Sequence, residues 1–196
     1  MKILCFGDSN TYGYDPRSYL GSRYGEGIRW PGLLGALPGV EVYERGENGR
    51  CIPHRDYQLK NAGREIEACG IVDIILIMLG GNDLLSEPDY FAEDVAERME
   101  EFLLHLKGLS CVSGTKILLV PPVPMIRGQW VTEQRLIDES ARLPELYREL
   151  AAAFETDYMP PPEGPGILDF DGVHLTSAGH RSFFEKLKSH LEKYEQ

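Results

Sequence analysis

The stretch Ile71-Val72-Asp73-Ile74-Ile75-Leu76-Ile77-Met78-Leu79, with Gly80-Gly81-Asn82-Asp83 behind it, decides the fold. It is nearly all branched and apolar, and a run of this length suits a strand covered on both faces, as in a parallel sheet. Three shorter segments extend the reading. Ile3 to Phe6 is an apolar run that ends at Gly7. Val40 to Glu44 alternates at first, and Gly46 and Gly49 come after it. Ile117 to Val120 is halted by Pro121-Pro122. Helical patterns fill the intervals. Pro31 to Leu37 begins with proline, which suits a first helical turn. Asp56 to Ala68 is a weaker helical segment. Phe91 to Lys107 places Val95, Met99, Phe102, Leu103 and Leu106 on one face. Thr132 to Phe154 reads as helix, with Pro144 marking a break or kink. Ser177 to Tyr194 closes the chain, with Phe184, Leu187, Leu191 and Tyr194 facing inward. Alternating strands and helices predict an α/β fold, a three-layer α/β/α sandwich around a central, mostly parallel sheet.

The chain has 196 residues, enough for one sizeable core and too few for two comfortable domains, so residues 1–196 read as a single domain. Hydrophobic residues make up 42% and charged residues 26%, which excludes a disordered chain, a collagen-like repeat and a simple coiled coil. A net charge of -11 argues against nucleic acid or an anionic membrane as partner, since both need a concentrated positive surface. Cys5, Cys51, Cys69 and Cys111 are not spaced as a metal knuckle or a redox pair, so free thiols in a reducing compartment are expected. The first residues lack the pattern of a signal peptide, and no apolar stretch is long enough to span a membrane. A cytoplasmic location is the expectation.

In an open parallel sheet, ligands bind beyond the carboxyl ends of the strands. The unusual residues fall there: Gly7-Asp8-Ser9-Asn10, Gly46-Glu47-Asn48-Gly49 and Gly80-Gly81-Asn82-Asp83, joined by Asp171-Gly172-Val173-His174 before the last helix. These are the parts of an acyl-transfer site. Ser9 lies at a strand-to-helix turn and needs a base to become nucleophilic. His174 supplies the base, and Asp171 accepts its Nδ1 proton so that Nε2 faces Ser9. The backbone N–H groups of Ser9 and Gly49 and the side-chain amide of Asn82 are candidate donors to the oxyanion.

On these four blocks the sequence resembles the SGNH hydrolases, also called the GDSL esterase/lipase family. Gly7-Asp8-Ser9 looks like the first block, with Ser9 the nucleophile. Gly46-Glu47-Asn48-Gly49 looks like the second, its donor role falling on Gly49 with Gly46 as the alternative. Gly80-Gly81-Asn82-Asp83 looks like the third and Asp171-Gly172-Val173-His174 the fifth. Cys5 to Thr11, Arg29-Trp30-Pro31 and Arg45 to Arg50 look like the arylesterase-like branch. The resemblance implies a flavodoxin-like sandwich, hydrolysis of short acetyl-type or aryl esters through an acyl-enzyme, a small-molecule ester as partner, and in some members assembly into homo-oligomers. It implies no metal and no organic cofactor. Two positions depart from the branch: Cys51 replaces a threonine, and Gly81 stands where threonine is common.

Several residues carry plainer readings. Asp8 is expected to tie its turn and Asp83 to cap the segment after the third strand. Asp169, Asp171 and His174 as metal ligands lack a second histidine pair or carboxylate cluster to complete a shell. His180 and His190 read as helix-surface residues, and His105 as a helix end. Trp30, Tyr12 and His54 are candidates for the substrate pocket, and Tyr14, Tyr19 and Tyr24 extend an aromatic-rich loop after the nucleophile. Two alternatives remain beside the esterase. An acyltransferase or perhydrolase uses the same site with another acceptor. A flavodoxin-like binding protein uses Gly7 to Thr11 as a phosphate-cradling loop, which leaves Asn82 and the Asp171–His174 pair unexplained.

Overall fold

A computed structural model of the chain describes residues 1–194. Its sheet has five parallel strands: β1 (Lys2–Gly7), β2 (Glu41–Gly46), β3 (Ile74–Met78), β4 (Lys116–Leu119) and β5 (Asp157–Tyr158), in the order β2-β1-β3-β4-β5. The predicted α/β sandwich with a mostly parallel sheet is the observed one. Ile74 to Met78 is buried at every residue, as a central strand with both faces covered must be.

Among the described residues seven helices surround the sheet: α1 (Ser9–Tyr12), α2 (Trp30–Gly35), α3 (Asp56–Glu67), α4 (Gly81–Ser86), α5 (Ala92–Lys107), α6 (Gln134–Ala153) and α7 (Ser177–Leu191). Alternate residues of each strand feed two separate cores. Leu4, Phe6, Ile75, Ile77 and Leu119 pack with side chains of α3, α5 and α6, among them Ile66, Met99, Phe102 and Tyr147. Ile3, Cys5, Leu76, Met78 and Leu118 pack with α2 and α7 through Trp30, Leu34, Phe183 and Leu187. Each fully buried side chain of this size contributes roughly 1.5–3 kcal/mol relative to exposure.

Three details differ from the sequence expectation. The helix over Pro144 runs unbroken from Gln134 to Ala153; Leu143 and Tyr147, both buried, anchor it on either side of the proline. β5 was not visible in the sequence, being two residues long, half-buried and at the sheet edge. Tyr194 packs inward against the second core as expected but falls in a short 3-10 turn after α7, outside the helix, and its hydroxyl meets Asp157. The four cysteines are free thiols. Among the described residues no helix is long and apolar enough to cross a membrane.

The topology sets up a crevice. The chain leaves β1 to build β2 on one side and later returns to build β3 on the other, so β1 and β3 flank the point where the winding reverses. The turns after these two strands hold Ser9 and Asn82.

Candidate active site

Ser9 is the first residue of α1, which begins directly where β1 stops. Asp8 caps it: its Oδ1 accepts the N–H of Asn10 at 2.9 Å. The helix can sit this close to the strand ends because Gly7 and Gly46 are paired across β1 and β2 and both lack a side chain. A Cβ on Gly46 would stand 2.2 Å from the backbone nitrogen of Tyr12. Gly46 is therefore a packing residue, and the exposed turn beyond it carries Gly49 at φ +76°.

The loop before α7 brings the remaining groups to Ser9. His174 Nε2 lies 2.9 Å from Ser9 Oγ, and His174 Nδ1 lies 2.6 Å from Asp171 Oδ2. The other oxygen of Asp171 accepts the backbone N–H groups of Val173 and His174, at 2.9 and 3.0 Å. Burial opposes the Asp171 charge. The His174 ring and the two backbone donors outweigh it and hold the carboxyl below its ordinary value. An ionised Asp171 keeps the histidine proton on Nδ1, so Nε2 is free to accept from Ser9. Asp169 beside it is tied outward instead: Arg17 Nε donates to both its oxygens, at 3.0 and 2.7 Å, and holds it below the usual carboxylate range.

Asn82 sits in the first turn of α4, and its Nδ2 donates to the carbonyl of Arg50 at 3.0 Å. That bond joins the turn after β3 to the turn holding Gly49. An amide has two N–H donors, so one remains for a ligand. Arg50 anchors the same turn through Arg45 O at 2.7 Å and through the carboxylates of Glu47 and Glu65 at 2.9 and 3.0 Å. Its guanidinium lies over the Phe6 ring.

The profile of the GDSL-like lipase/acylhydrolase family matches residues 5–182. The chain belongs to that family. Among curated proteins it is 22% identical to an acetylxylan esterase of Xylanibacter ruminicola over 209 residues, covering 94% of this chain and 42% of that protein. The chain thus spans about two-fifths of the relative's length. The fold matches that of the M. smegmatis aryl esterase, with a TM-score of 0.82, 24% identity and 98% of both chains covered. A carbohydrate acetylesterase family member from Sinorhizobium meliloti gives a TM-score of 0.83 at 24% identity, covering 98% of this chain and 97% of that one.

Within this GDSL-family framework some sequence expectations change. Trp30 is not a pocket wall. It has no exposed surface; its Nε1 donates to Asn10 O at 2.9 Å and its ring packs on Phe183. An aromatic residue next to a site motif looks like a pocket residue in sequence, but here it fastens α2 beneath the turn that carries Ser9. His180 is likewise buried, not on the helix surface. Its Nδ1 faces the N–H of Trp30, and burial, aided by the Arg29 charge, pushes it down to about 3, so it is neutral. Asp83 does not cap α4; it lies inside it, accepting from Arg98 at 2.7 Å and from Ile52 N at 3.0 Å. Tyr12 is half-buried with the Arg23 guanidinium over its ring, and His54 bonds back to Ile52 O through Nδ1. Neither is held against the Ser9–His174 pair by those contacts. Tyr19 is wholly exposed.

Two aromatic rings do frame His174. Tyr14 lies 4.6 Å from its ring, and Trp130 meets it edge-on at 5.0 Å. Trp130 is 50% exposed. Its loop is laid on the histidine loop by Ile126 N–Gly172 O, Gln129 N–Phe170 O and Trp130 N–Asp171 O bonds. Sequence reading missed Trp130, because it belongs to no block and lies in irregular chain. Its solitary position between Pro124 and α6 was the one available signal.

Proposed function

We propose that the chain is a serine esterase acting on short acyl esters, of acetyl type or with an aryl alcohol. The observation that carries this reading is the Ser9–His174–Asp171 chain of hydrogen bonds at the carboxyl ends of the strands. Ser9 Oγ attacks the ester carbonyl while its proton passes to His174 Nε2. Asp171 stabilises the imidazolium that forms. The carbonyl oxygen becomes an oxyanion, met by the N–H of Ser9, the N–H of Gly49 and the free N–H of Asn82. The tetrahedral intermediate collapses, and the alcohol leaves with the proton from His174. Water then attacks the acyl-serine with His174 again as base, returning the free acid and Ser9.

The aromatic pair flanking His174 supports a flat or apolar alcohol on that side, since the departing oxygen must lie near Nε2. The relatives named above, an acetylxylan esterase, an aryl esterase and a carbohydrate acetylesterase, support a short acyl group.

The test is p-nitrophenyl ester hydrolysis across acyl lengths by the parent, Ser9→Ala and Asp171→Asn. Loss of the nucleophile should lower kcat by about 10⁴- to 10⁶-fold, and Asp171→Asn by about 10⁴-fold, because the imidazole then adopts the wrong tautomer. Ser9→Ala turning over p-nitrophenyl acetate at the parental rate would end the proposal.

A further inference from the structure

We propose that Asn10 is the positioning residue that fixes the distance between base and nucleophile. The inference rests on the esterase reading and adds a part to it. The side-chain amide of Asn10 grips the backbone on both sides of His174. Its Oδ1 accepts the N–H of Leu175 at 2.8 Å, and its Nδ2 donates to the carbonyl of Val173 at 3.1 Å. A residue in a neighbouring parallel strand would bond the carbonyl before and the N–H after its partner in the same way. Here a side chain takes that part with His174 as the partner residue.

Asn10 is itself immobile. Its N–H donates to Asp8 Oδ1 at 2.9 Å, and its carbonyl accepts from Trp30 Nε1 at 2.9 Å. Asn10 is buried, and so is Trp30. Because Asn10 directly follows Ser9 in α1, its two amide bonds tie the base to the turn that carries the nucleophile. His174 cannot withdraw from Ser9 without breaking both, and the bond to Leu175 N is buried. Asp171 does a different job: it orients the ring through Nδ1, whereas Asn10 sets where the backbone of His174 lies.

This separates Asn10 from a residue that only supports the fold. A misplacement of reacting groups by about 1 Å lowers the rate on the order of 100-fold. Asn10→Ala should therefore lower kcat for p-nitrophenyl acetate by about 10- to 100-fold, with KM changed less than about threefold and with fluorophosphonate labelling of Ser9 slowed in proportion. Active-site titration corrects for any misfolded fraction. Asn10→Asp sharpens the test. A protonated carboxyl there can still donate to Val173 O and accept from Leu175 N, whereas a carboxylate repels Val173 O. The ratio of variant to parental kcat should fall as pH rises from about 5 to about 8, across the titration range of a carboxyl raised by burial.

A folded Asn10→Ala protein with kcat per titrated site within twofold of the parent overturns the proposal. So does an Asn10→Asp ratio that is flat with pH. If the parent neither hydrolyses esters nor takes the fluorophosphonate, the esterase reading has failed, and the clamp is judged by proton NMR. A hydrogen-bonded Nδ1 proton of His174 present in the parent and lost or shifted in Asn10→Ala upholds it; an unchanged resonance overturns it.

Discussion

Two neighbouring strands, β1 and β3, end alike. Each reaches a glycine and passes within two residues into a short helix, Gly7-Asp8-Ser9 into α1 and Gly80-Gly81-Asn82 into α4. Each turn offers one side chain to the crevice between them, Ser9 from the first and Asn82 from the second. Each also buries an aspartate, Asp8 or Asp83. The aspartates are held differently. Asp83 has a counter-ion, the guanidinium of Arg98 from α5, and a second donor in Ile52 N. Asp8 is bonded by one backbone N–H, that of Asn10. Burial raises both above the ordinary carboxylate value; for Asp8, which lacks an ion-pair partner, the value reaches about 6. The turn that carries Asn82 is thus pinned to a helix on the sheet face, whereas the turn that carries Ser9 keeps a carboxyl able to change its charge beside His174.

The largest effect expected from this contrast comes from removal of the counter-ion. Arg98→Met leaves Asp83 buried and uncompensated, which costs about 3–5 kcal/mol of stability. Urea unfolding at pH 7 should show the loss, and Arg98→Met combined with Asp83→Asn should recover much of it. A loss below about 1 kcal/mol would mean that the pair does not anchor α4.

The second prediction concerns Asp8 and pH. Its folded value of about 6 lies above the ordinary 3.8, so between those limits the folded chain holds a proton that the unfolded chain has released. Its contribution is complete below the lower limit and is lost as pH rises through the upper one, by about 3 kcal/mol. Asp171, held low, is already fully ionised over most of this window and does not offset the slope. Asp83 shifts in the same direction and stays present in both proteins, and the nearby His174 charge acts to lower Asp8. The difference between parent and Asp8→Asn isolates the one carboxyl. Unfolding measured from pH 4 to 7 should show the parent losing stability relative to Asp8→Asn as pH rises. A constant difference would mean that the Asp8 carboxyl titrates alike in the folded and unfolded chains.

The same contrast explains what the sequence could and could not disclose. The sheet was legible because Ile74 to Met78 and Ile3 to Phe6 are buried on both faces and need no polar alternation. The candidate site was legible because Ser9 and Asn82 lie at glycine-marked turns after strands and Asp171 and His174 in a glycine-marked loop before α7. Arg98 was not legible. Set among Val95, Met99 and Phe102, it reads as a solvated charge until Asp83 is seen opposite. His180 and Trp30 were misplaced for a related reason: polar or aromatic type suggests surface or pocket, but both are fully buried, Trp30 against Phe183 and His180 against Tyr24 and the N–H of Trp30. Asn10 lay inside a recognised block, yet its two bonds reach residues 173 and 175, a pairing that no local pattern encodes.

The smallest effect separates two adjacent glycines on the β3 side. Gly80 has to be glycine: it sits at φ +119°, and a Cβ would stand 2.4 Å from the hydroxyl of Tyr147, which is itself bonded to Leu79 O at 2.9 Å. Gly81 begins α4, and a Cβ there would meet only Met125 Cε and Pro122 Cβ, each at 3.7 Å, an ordinary contact. Glycine costs a helix conformational entropy in the unfolded chain without giving anything back at such a position. Gly81→Ala should therefore stabilise the protein by about 0.5–1 kcal/mol. Because Asn82 keeps its bond to Arg50 O, kcat should stay within a factor of about two. Urea midpoints and p-nitrophenyl acetate turnover measured side by side decide the matter. A destabilised Gly81→Ala would show that the β3 turn needs both glycines for close approach, as the β1 turn needs Gly7, and the two turns would then be alike in backbone and different only in how their aspartates are held.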